Sequence, residues 1–550
     1  MRVLGVSAYH DSSVCLMEDG KILRYYKEER LSRVKRDMKP ILSLLEIYKE
    51  YGRNINAILF ADPPDDVTHT LCKKLWTCDI KTQPKGHHIY HASLAFMWSG
   101  FDEATTFVVD RNGSVFSNYG DTMVESESAF VSTPYGFNAL YKSFWRLTAY
   151  EDGKNIKKAM DGVKEYYDTA DVVCDSRLNI TQVYESATSL INENPLDNGK
   201  TMGLSSYGKR GREDFKNYFL DSIPLDRYFI QYDDKIKMIG DEETNHFRVV
   251  NKELQDFILK DTVSEKNYSF YADYALEIQH QTQEALGDLV EKYTIKNNLN
   301  TKNVIITGGY GLNVVANSYL TKRFPDLNFF FCPIADDSGN SIGVAVNYFM
   351  PNVNLDMKKT AIHGREYTIP EEYQTCSVEF IAEQLYNQKS VAVFNELAEA
   401  GPRALGNRSI LFDATNKDAK EIVNRIKNRE WYRPFAAICL REDAEELFEM
   451  VDTVNSDYMT MSFDVKSARI PGVTHVDNTC RIQTISEEHH LYTLLKLIKR
   501  KIGIGVLLNT SFNVAGKPLV ETPQDARKVF KNTNLDILWF PKTNQFIMKE

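Results

Sequence analysis

Asn303-Val304-Ile305-Ile306-Thr307-Gly308-Gly309-Tyr310-Gly311-Leu312-Asn313 is the stretch that decides how this chain is read. Asn303–Thr307 is a short apolar, β-branched run, as a buried strand requires. Gly308-Gly309 then turns the chain, and a helix is expected to begin near Leu312. Before it lies a stretch of helical period, roughly 264–297. After it come a strand at Asn328–Cys332 and a helix at Ser341–Met350. Strands alternating with helices imply an α/β core. Backbone N–H groups in such a Gly-rich turn can cradle phosphate or pack against adenosine. Gly308, Gly309 and Asn313 are therefore candidate nucleotide contacts. The run is not a Walker A loop, because no Lys-Ser/Thr pair follows its last glycine.

The same grammar extends towards the N-terminus. Val3–Ala8, Ser13–Met17 and Ile22–Tyr26 read as strands, with Asp19-Gly20 as a tight turn between the last two. Ile41–Lys49 reads as a helix, and Asn56–Ala61 and Thr105–Asp110 as buried strands. The strand-turn units Ser7–Ser13 and Asp110–Ser114, with the late Gly-Gly turn, resemble the actin/sugar-kinase type of ATPase fold. In that fold two related halves face a nucleotide cleft. The polar stretch 210–265 reads as an insertion. Residues 351–375 are rich in Pro, Lys and Thr without a clean period, so 356–375 is expected to link a domain at 1–355 to one at 376–550. In the second domain, strands are expected at Ser390–Phe394, Ala436–Leu440, Val506–Asn509 and Leu535–Phe540. Helices are expected there at Asp418–Lys427, Arg441–Met450 and Pro523–Lys531. That is a second α/β or α+β unit of ordinary size.

Bulk composition narrows the class. The 550 residues carry a net charge of −10, with 43% hydrophobic and 26% charged residues, ordinary values for a globular protein. The acidic balance argues against broad contact with nucleic acid. Eight cysteines (Cys15, Cys72, Cys78, Cys174, Cys332, Cys376, Cys439 and Cys480) are scattered without a CxxC. They read as reduced thiols in a cytoplasmic protein. No apolar run approaches the length of a membrane span or a signal peptide.

Against that acidic background, Gly401-Pro402-Arg403-Ala404-Leu405-Gly406-Asn407-Arg408-Ser409 and Asn424–Phe435 concentrate arginines among turn residues. Fixed guanidinium forks beside turns suit phosphoanions. Arg403, Arg408, Lys427 and Arg433 are candidates, with Arg481 completing the cationic pocket. Asn509-Thr510-Ser511-Phe512-Asn513 ends an apolar strand in small polar groups that could hydrogen-bond a ligand. In the first half, His87 and His91 stand four apart, so on a helix they share one face and can ligate one metal. No Glu follows His87 as a zinc protease would require. Asp110 and the pair Asp336/Asp337 end apolar runs where an α/β cleft keeps its carboxylates, and the sequence leaves open which of Asp336 and Asp337 would ligate. Two imidazoles with carboxylates suit Fe(II), Mn(II) or Zn(II). Ser338-Gly339-Asn340 is a candidate helix N-terminus for an anion. His10-Asp11, at the first strand-turn, is a candidate base with a carboxylate neighbour.

These motifs, in this order, resemble the NodU/CmcH-type O-carbamoyltransferases. The resemblance is carried by His10-Asp11-Ser12, Glu28-Glu29-Arg30, His87-His88-x-x-His91-Ala92, Phe101-Asp102-Glu103-Ala104, Met202-Gly203-Leu204, Gly308-Gly309 with Leu312-Asn313 and Ala316-Asn317, and Asp337-Ser338-Gly339. It continues through the GPRALGNRS run, Arg429–Phe435, Thr474-His475-Val476-Asp477 and Asn509–Asn513. It departs at Arg111-Asn112-Gly113, where the family has Asp-Gly and small residues, and in the longer, divergent region of about 135–190.

The resemblance implies a threonylcarbamoyl-transferase-like N-terminal domain of the actin/sugar-kinase (ASKHA) class and a YrdC-like C-terminal domain. It implies that carbamoyl phosphate and ATP, with Mg2+, give a carbamoyl-adenylate and pyrophosphate in the C-terminal domain. The carbamoyl group then passes to an acceptor hydroxyl of a sugar, nucleoside or metabolite in the N-terminal domain, which holds iron. On this reading Arg403, Arg408, Lys427, Arg433 and Arg481 neutralise phosphates. Lys35 reaches in from the first domain, and Asn509, Thr510, Ser511 and Asn513 bind the carbamoyl or phosphate group. His10 orients or deprotonates the acceptor beside Asp11. His87, His91, Asp110 and Asp337 hold the metal, and Gly308, Gly309 and Asn313 line the adenosine pocket. Carbamoyl-type modification of tRNA or a DNA base is the alternative, weakened by the acidic balance. A non-catalytic nucleotide-dependent interaction protein is a third, disfavoured by the His, Asp and Arg sets. A homodimer is compatible with the sequence.

Overall fold

A computed structural model describes residues 1–82, 86–116, 123–146, 162–174, 179–192, 194, 196–211, 237–241, 246–250, 268–297, 299, 301–371, 373–450 and 456–549. Most of the expected insertion at 210–265, and part of the 135–190 region, lie outside the described residues. The fold is mixed α/β in two compact units. One comprises Met1–Gln83, Ser93–Gly100 and Phe331–Glu550; the other comprises Pro84–Ala92 and Phe101–Phe330.

In the first unit, the N-terminal sheet runs in the order Lys21–Lys27, Ser13–Glu18, Arg2–Ser7, Ala57–Phe60, Asp79–Thr82. The first three strands form an antiparallel meander and the last two join in parallel. Apolar side chains of the Arg2–Ser7, Ser13–Glu18 and Ala57–Phe60 strands pack with Leu44, Ile47 and Trp76 into one core. The second unit repeats this logic. Gly136–Arg146, Met123–Thr133 and Ala104–Val109 form an antiparallel meander, and Asn303–Thr307 adds in parallel to Ala104–Val109. His10-Asp11 and Asp110 thus follow equivalent strands, the last of the meander in sheet order and the one that takes the parallel neighbour. The repeat lies in strand topology, which is why no sequence period betrays it.

The C-terminal part of the first unit is a nine-stranded mixed sheet whose centre is Val391–Phe394, Arg408–Asp413, Val506–Ser511 and Ala436–Leu440. Separate apolar layers cover its faces, one around Ile381, Leu385, Leu495 and Trp539, the other around Phe394, Phe512, Phe530 and Phe540. Burying each such side chain contributes about 1.5–3 kcal/mol. The expected linker is stitched into this unit. Ile362–His363 pairs with Ala398–Glu399, and Gln374–Thr375 pairs with the Gln545–Met548 strand.

Element boundaries differ from expectation where local signals mislead. Asn313 caps a helix at Val314–Arg323, its side chain accepting from the N–H groups of Val315 and Ala316, and a 3₁₀ turn fills Gly309–Leu312. The helix expected at Arg441–Met450 ends at Leu447. The long helical stretch is an α-helix at Tyr268–Val290 followed by a π-helical turn, Glu291–Ile295. Among the described residues no helix is long and apolar enough to cross a membrane. Cys15, Cys72, Cys78, Cys332, Cys376, Cys439 and Cys480 are free thiols.

Candidate active site

Arg403, Lys427, Arg429, Arg433 and Arg481 form a cluster of positive charge in the first unit. Lys427 ends the helix Ala419–Lys427, and Asn428, at φ 49°, turns the chain through the left-handed region, which asparagine tolerates. Asn424 Nδ2 donates to the carbonyl of Arg433 at 3.2 Å and fixes the loop that follows. Arg481 lies on the Thr479–Ile485 strand, directly across from Ala436. Burial, and then the charges of Arg481 and Arg433, press Arg403 well below the usual arginine range. Burial and the charges of Arg433 and Arg481 do the same to Arg429, and burial with Arg433 lowers Arg481 to about 10. The Nε atoms of Arg429 and Arg481 are buried and have no hydrogen-bond partner among the described residues. Guanidinium groups do not surrender their protons in proteins, so the cluster keeps its positive charge, which Glu430, 3.6 Å from Arg433, and Asp336, acting on Arg403, offset only in part. A polyanion placed there would relieve it.

Lys427 sits differently. Its ammonium donates to the backbone carbonyl of Ser511, to Asn513 O at 2.9 Å and to Asn513 Oδ1 at 2.9 Å, and Ser511 Oγ donates to Asn513 Oδ1 at 2.7 Å. Lys427, Ser511 and Asn513 are therefore one hydrogen-bonded group. Burial, followed by Arg429 and Arg433, holds the Lys427 ammonium well below the usual lysine range. Asn509 is buried and its amide donates to Ala404 O and Gln483 Oε1, supporting the Arg403 loop from beneath. Thr510 is held in the strand opposite Ile410.

Arg408, expected to bind phosphate, is occupied by partners other than the cluster. It lies on a fully buried strand. Its guanidinium donates to the carbonyls of Asn395, Asn407, Glu396 and Glu521 and lies 3.6 Å from the centre of the Phe394 ring. Arg408→Ala is accordingly expected to cost about 3 kcal/mol or more, because several buried carbonyls lose charged donors. Urea denaturation measures this. An Arg408→Ala protein of parental stability that no longer binds pyrophosphate would return Arg408 to the anion site. Lys35 is exposed in the turn after the Glu28–Ser32 helix.

A second group in this unit surrounds His10. Its Nδ1 lies 2.9 Å from Asp11 Oδ2, while Asp11 Oδ1 and Asp336 Oδ2 both pair with Lys27 Nζ, at 3.3 and 3.1 Å. Burial would lower the His10 pKa, but the hydrogen bond and charge of Asp11, with the charge of Asp337, outweigh it and the pKa is raised. Asp11 adopts φ 56°, a left-handed conformation that turns its carboxylate back onto His10. Asp11, a candidate substrate contact as well as the neighbour of His10, presents one oxygen to His10 and the other to Lys27. With Nδ1–H given to Asp11, His10 Nε2 carries the free lone pair, and it has no hydrogen-bond partner among the described residues. Asp336 is engaged by Lys27, and Asp337 opens the 3₁₀ turn Asp337–Gly339.

In the second unit, His87 and His91 lie on one face of the helix His87–Ser99 and converge on Asp110. Their Nε2 atoms are 3.3 and 3.4 Å from Asp110 Oδ2. All three are buried, and their ligand atoms lie close enough to hold one metal ion. Burial would raise the Asp110 pKa, but hydrogen bonds from His87 and His91 hold it well below the usual carboxylate range. Gly309 N–H donates to Asp110 Oδ1 at 3.2 Å, so this turn orients the carboxylate. Gly308 adopts φ 81°, and a Cβ there would stand 2.6 Å from the Val109 carbonyl oxygen, so only glycine lets the two strands meet. The Asn313 amide, already a helix cap, also donates to Gln279 Oε1 at 2.9 Å. His88, between the two candidate ligands, turns away to Ser128 Oγ at 2.7 Å beside a buried Glu125–Lys142 pair.

Sequence reasoning passed over Lys27 and Arg429 as site residues. Arg429 stood within a quoted motif; nothing local distinguishes Lys27.

Residues 41–346 match the family description Carbamoyltransferase N-terminus, and residues 382–547 match Carbamoyltransferase C-terminus. Over an alignment 638 positions long, gaps included, the chain is 28% identical to protein sll1178 of Synechocystis sp., covering 98% of this chain and 95% of that one. It is 24% identical to Nodulation protein NolNO of Sinorhizobium fredii, covering 96% of this chain and 77% of that one. It is 34% identical to Nodulation protein U of Rhizobium fredii over 39% of each chain. Among solved structures it is similar to full-length HypF in the phosphate- and nucleotide-bound form, at 12% identity and a TM-score of 0.36, covering 63% of this chain and 46% of that one. Since the N-terminal match alone spans more than half of the chain, and the C-terminal match takes up most of the remainder, this protein belongs to the carbamoyltransferase family and is a transferase enzyme.

Proposed function

We propose that the protein is an ATP-dependent O-carbamoyltransferase working in two half-reactions. The observation that carries the reading is the crowding of Arg403, Arg429, Arg433 and Arg481, where like charge outweighs the acidic neighbours Glu430 and Asp336. Two polyanions, ATP and carbamoyl phosphate, repel one another, and a preorganised cationic pocket is what lets them meet. In the first half-reaction the cluster neutralises the phosphates, while Ser511 and Asn513, set by Lys427, orient the carbamoyl or phosphate group. Carbamoyl-adenylate and pyrophosphate are the products, and Mg2+ accompanies the ATP.

In the second half-reaction His10 Nε2 accepts the proton of the acceptor hydroxyl. Asp11 holds the ring in the required tautomer and stabilises the imidazolium that forms. The acceptor oxygen then attacks the carbamoyl carbon and AMP leaves. His87, His91 and Asp110, with Asp337 as the fourth member, are proposed as the metal ligands. Two imidazoles and carboxylates fit Fe(II), Mn(II) or Zn(II), with iron the family-based choice. When bound, such an ion supplies a Lewis acid for a phosphate or carbonyl oxygen. The acceptor is proposed to be a small hydroxylated molecule. The ASKHA-like assignment of the N-terminal part is supported by its repeated meander topology. The YrdC-like assignment of 376–550, and the division at 356–375, stand as proposals on the resemblance.

The test is pyrophosphate release from the purified protein with ATP, with and without carbamoyl phosphate and without acceptor. Release that depends on carbamoyl phosphate is the expected result. Its absence across metals and pH, with pyrophosphate binding also absent, would refute the adenylating half-reaction.

A further inference from the structure

The loop that carries Arg403 has to be held against its neighbours. The charges of Arg481 and Arg433 push against Arg403, and Asp336 offsets part of that push. What opposes the push is an unusual set of side-chain bonds to the loop backbone. Gln483 Nε2 donates to Leu405 O at 2.9 Å, Asn509 Nδ2 to Ala404 O at 3.3 Å, and Arg30 Nη2 to Gly401 O at 3.2 Å. His489 Nε2 lies 3.0 Å from Leu405 O, and His490 Nε2 lies 3.2 Å from Gly406 O. Gly406 adopts φ 107°, and a Cβ there would stand 2.7 Å from the His489 ring, so the loop and the histidine interlock.

Three backbone donors of the loop and its exit are gathered by one atom, while Gly406 N–H donates to Ser409 Oγ. Glu399 Oε1 accepts the N–H groups of Leu405 at 2.7 Å, Asn407 at 2.9 Å and Arg408 at 3.1 Å. Glu399 is 2% exposed. Its other oxygen, Oε2, has no hydrogen-bond partner among the described residues, and neither do Nε and Nη1 of Arg30. Both residues line the same small pocket, with Lys27 and His363. A carboxylate is otherwise expensive at such depth unless its charge is used. Here charge-assisted bonds, roughly twice as strong as neutral ones, are spent on three loop amides.

We infer that Glu399 is a positioning residue of the adenylating half-reaction: its carboxylate locks loop 401–407 so that Arg403 is presented to the phosphates before they arrive. The inference rests on the reading of the cationic cluster given above. Glu399 touches no reacting atom. It removes the reorganisation that the loop would otherwise undergo at each turnover. An Asp at this position would fall one methylene short of the three amides, and a Gln would keep the shape while losing the charge.

The experiment compares Glu399→Gln and Glu399→Ala with the parent protein in three measurements: carbamoyl-phosphate-dependent pyrophosphate release, carbamoyl transfer from preformed carbamoyl-adenylate, and affinity for inorganic pyrophosphate by calorimetry. E399Q is expected to lower kcat for pyrophosphate release by about tenfold and E399A by about a hundredfold, the range for a lost preorganising contact. Both should transfer carbamoyl from the adenylate at the parental rate, which a general loss of structure would not permit. E399Q with parental pyrophosphate release and affinity overturns the inference. So does an equal fall in both half-reactions. If the parent itself releases no pyrophosphate but still binds it, the turnover comparison is lost while the anion site stands. The positioning role is then decided by affinity alone, with weakened pyrophosphate binding in E399Q supporting it and parental binding refuting it.

Discussion

Arg403→Ala is expected to lower carbamoyl-phosphate-dependent pyrophosphate release by about 10³-fold, the scale at which a single arginine acts on transferring phosphates. Transfer from preformed carbamoyl-adenylate should remain near the parental rate. The argument is electrostatic. Arg403 is pressed by burial and by Arg481 and Arg433, and this unfavourable crowding is reversed when phosphates bind between the cations. The side chain therefore stores in the free protein part of what it gives back in the transition state. A second readout follows from the same physics: removing Arg403 relieves like-charge repulsion, so the thermal midpoint should hold or rise. A pronounced fall in the midpoint, with both half-reactions impaired, would mean that Arg403 braces the fold and is not an anion ligand.

His10→Ala is expected to show the opposite pattern. Transfer from carbamoyl-adenylate should fall by about 10²–10⁴-fold, the usual contribution of a general base, while pyrophosphate release persists. The pH profile makes this sharper. A base must be neutral to act, so the transfer rate declines as pH falls through the His10 pKa. That pKa is raised above 6.5 by Asp11, against the effect of burial, so the acid limb of transfer should lie above pH 6.5. Asp11→Asn keeps a residue that tolerates φ 56° but removes the charge. It should move the limb to lower pH and reduce the plateau, because the tautomer is no longer held. An acid limb that stays put in Asp11→Asn would assign it to another group.

Much of the architecture was readable from local pattern. Asn303–Thr307, Ala436–Leu440 and Pro523–Lys531 form as strand, strand and helix with the expected ends. Each combines an apolar period with explicit punctuation: Gly-Gly after the first, Arg441 opening a helix after the second, and the Thr522 capping box before the third. The helices Val378–Tyr386 and Tyr492–Ile502 were passed over, although the first opens on a Ser377 cap and the second closes on Gly503. The meander at Met123–Arg146 was also unread, since its long strands mix apolar positions with buried Glu125, Glu127 and Lys142.

Chemistry and position part company most clearly within GPRALGNRS. The sequence determines that this motif brings Arg403 and Arg408 into one short run, and a residue's type tells what it can bind. Which way each points is decided by the sheet. Arg408 begins a strand buried on both faces between Val391–Phe394 and Val506–Ser511, so its guanidinium is turned inward onto carbonyls. Arg403 precedes the strand and remains in the loop. Likewise the spacing of His87 and His91 by itself placed them on one helical face. Their convergence on Asp110, and the partnership of Lys27 with both Asp11 and Asp336, depend on how distant segments register against one another. Helical spacing is a property of neighbours in the chain. Strand order and the packing of a turn against a remote carboxylate are set by burial of the whole core, and only the tertiary structure decides them.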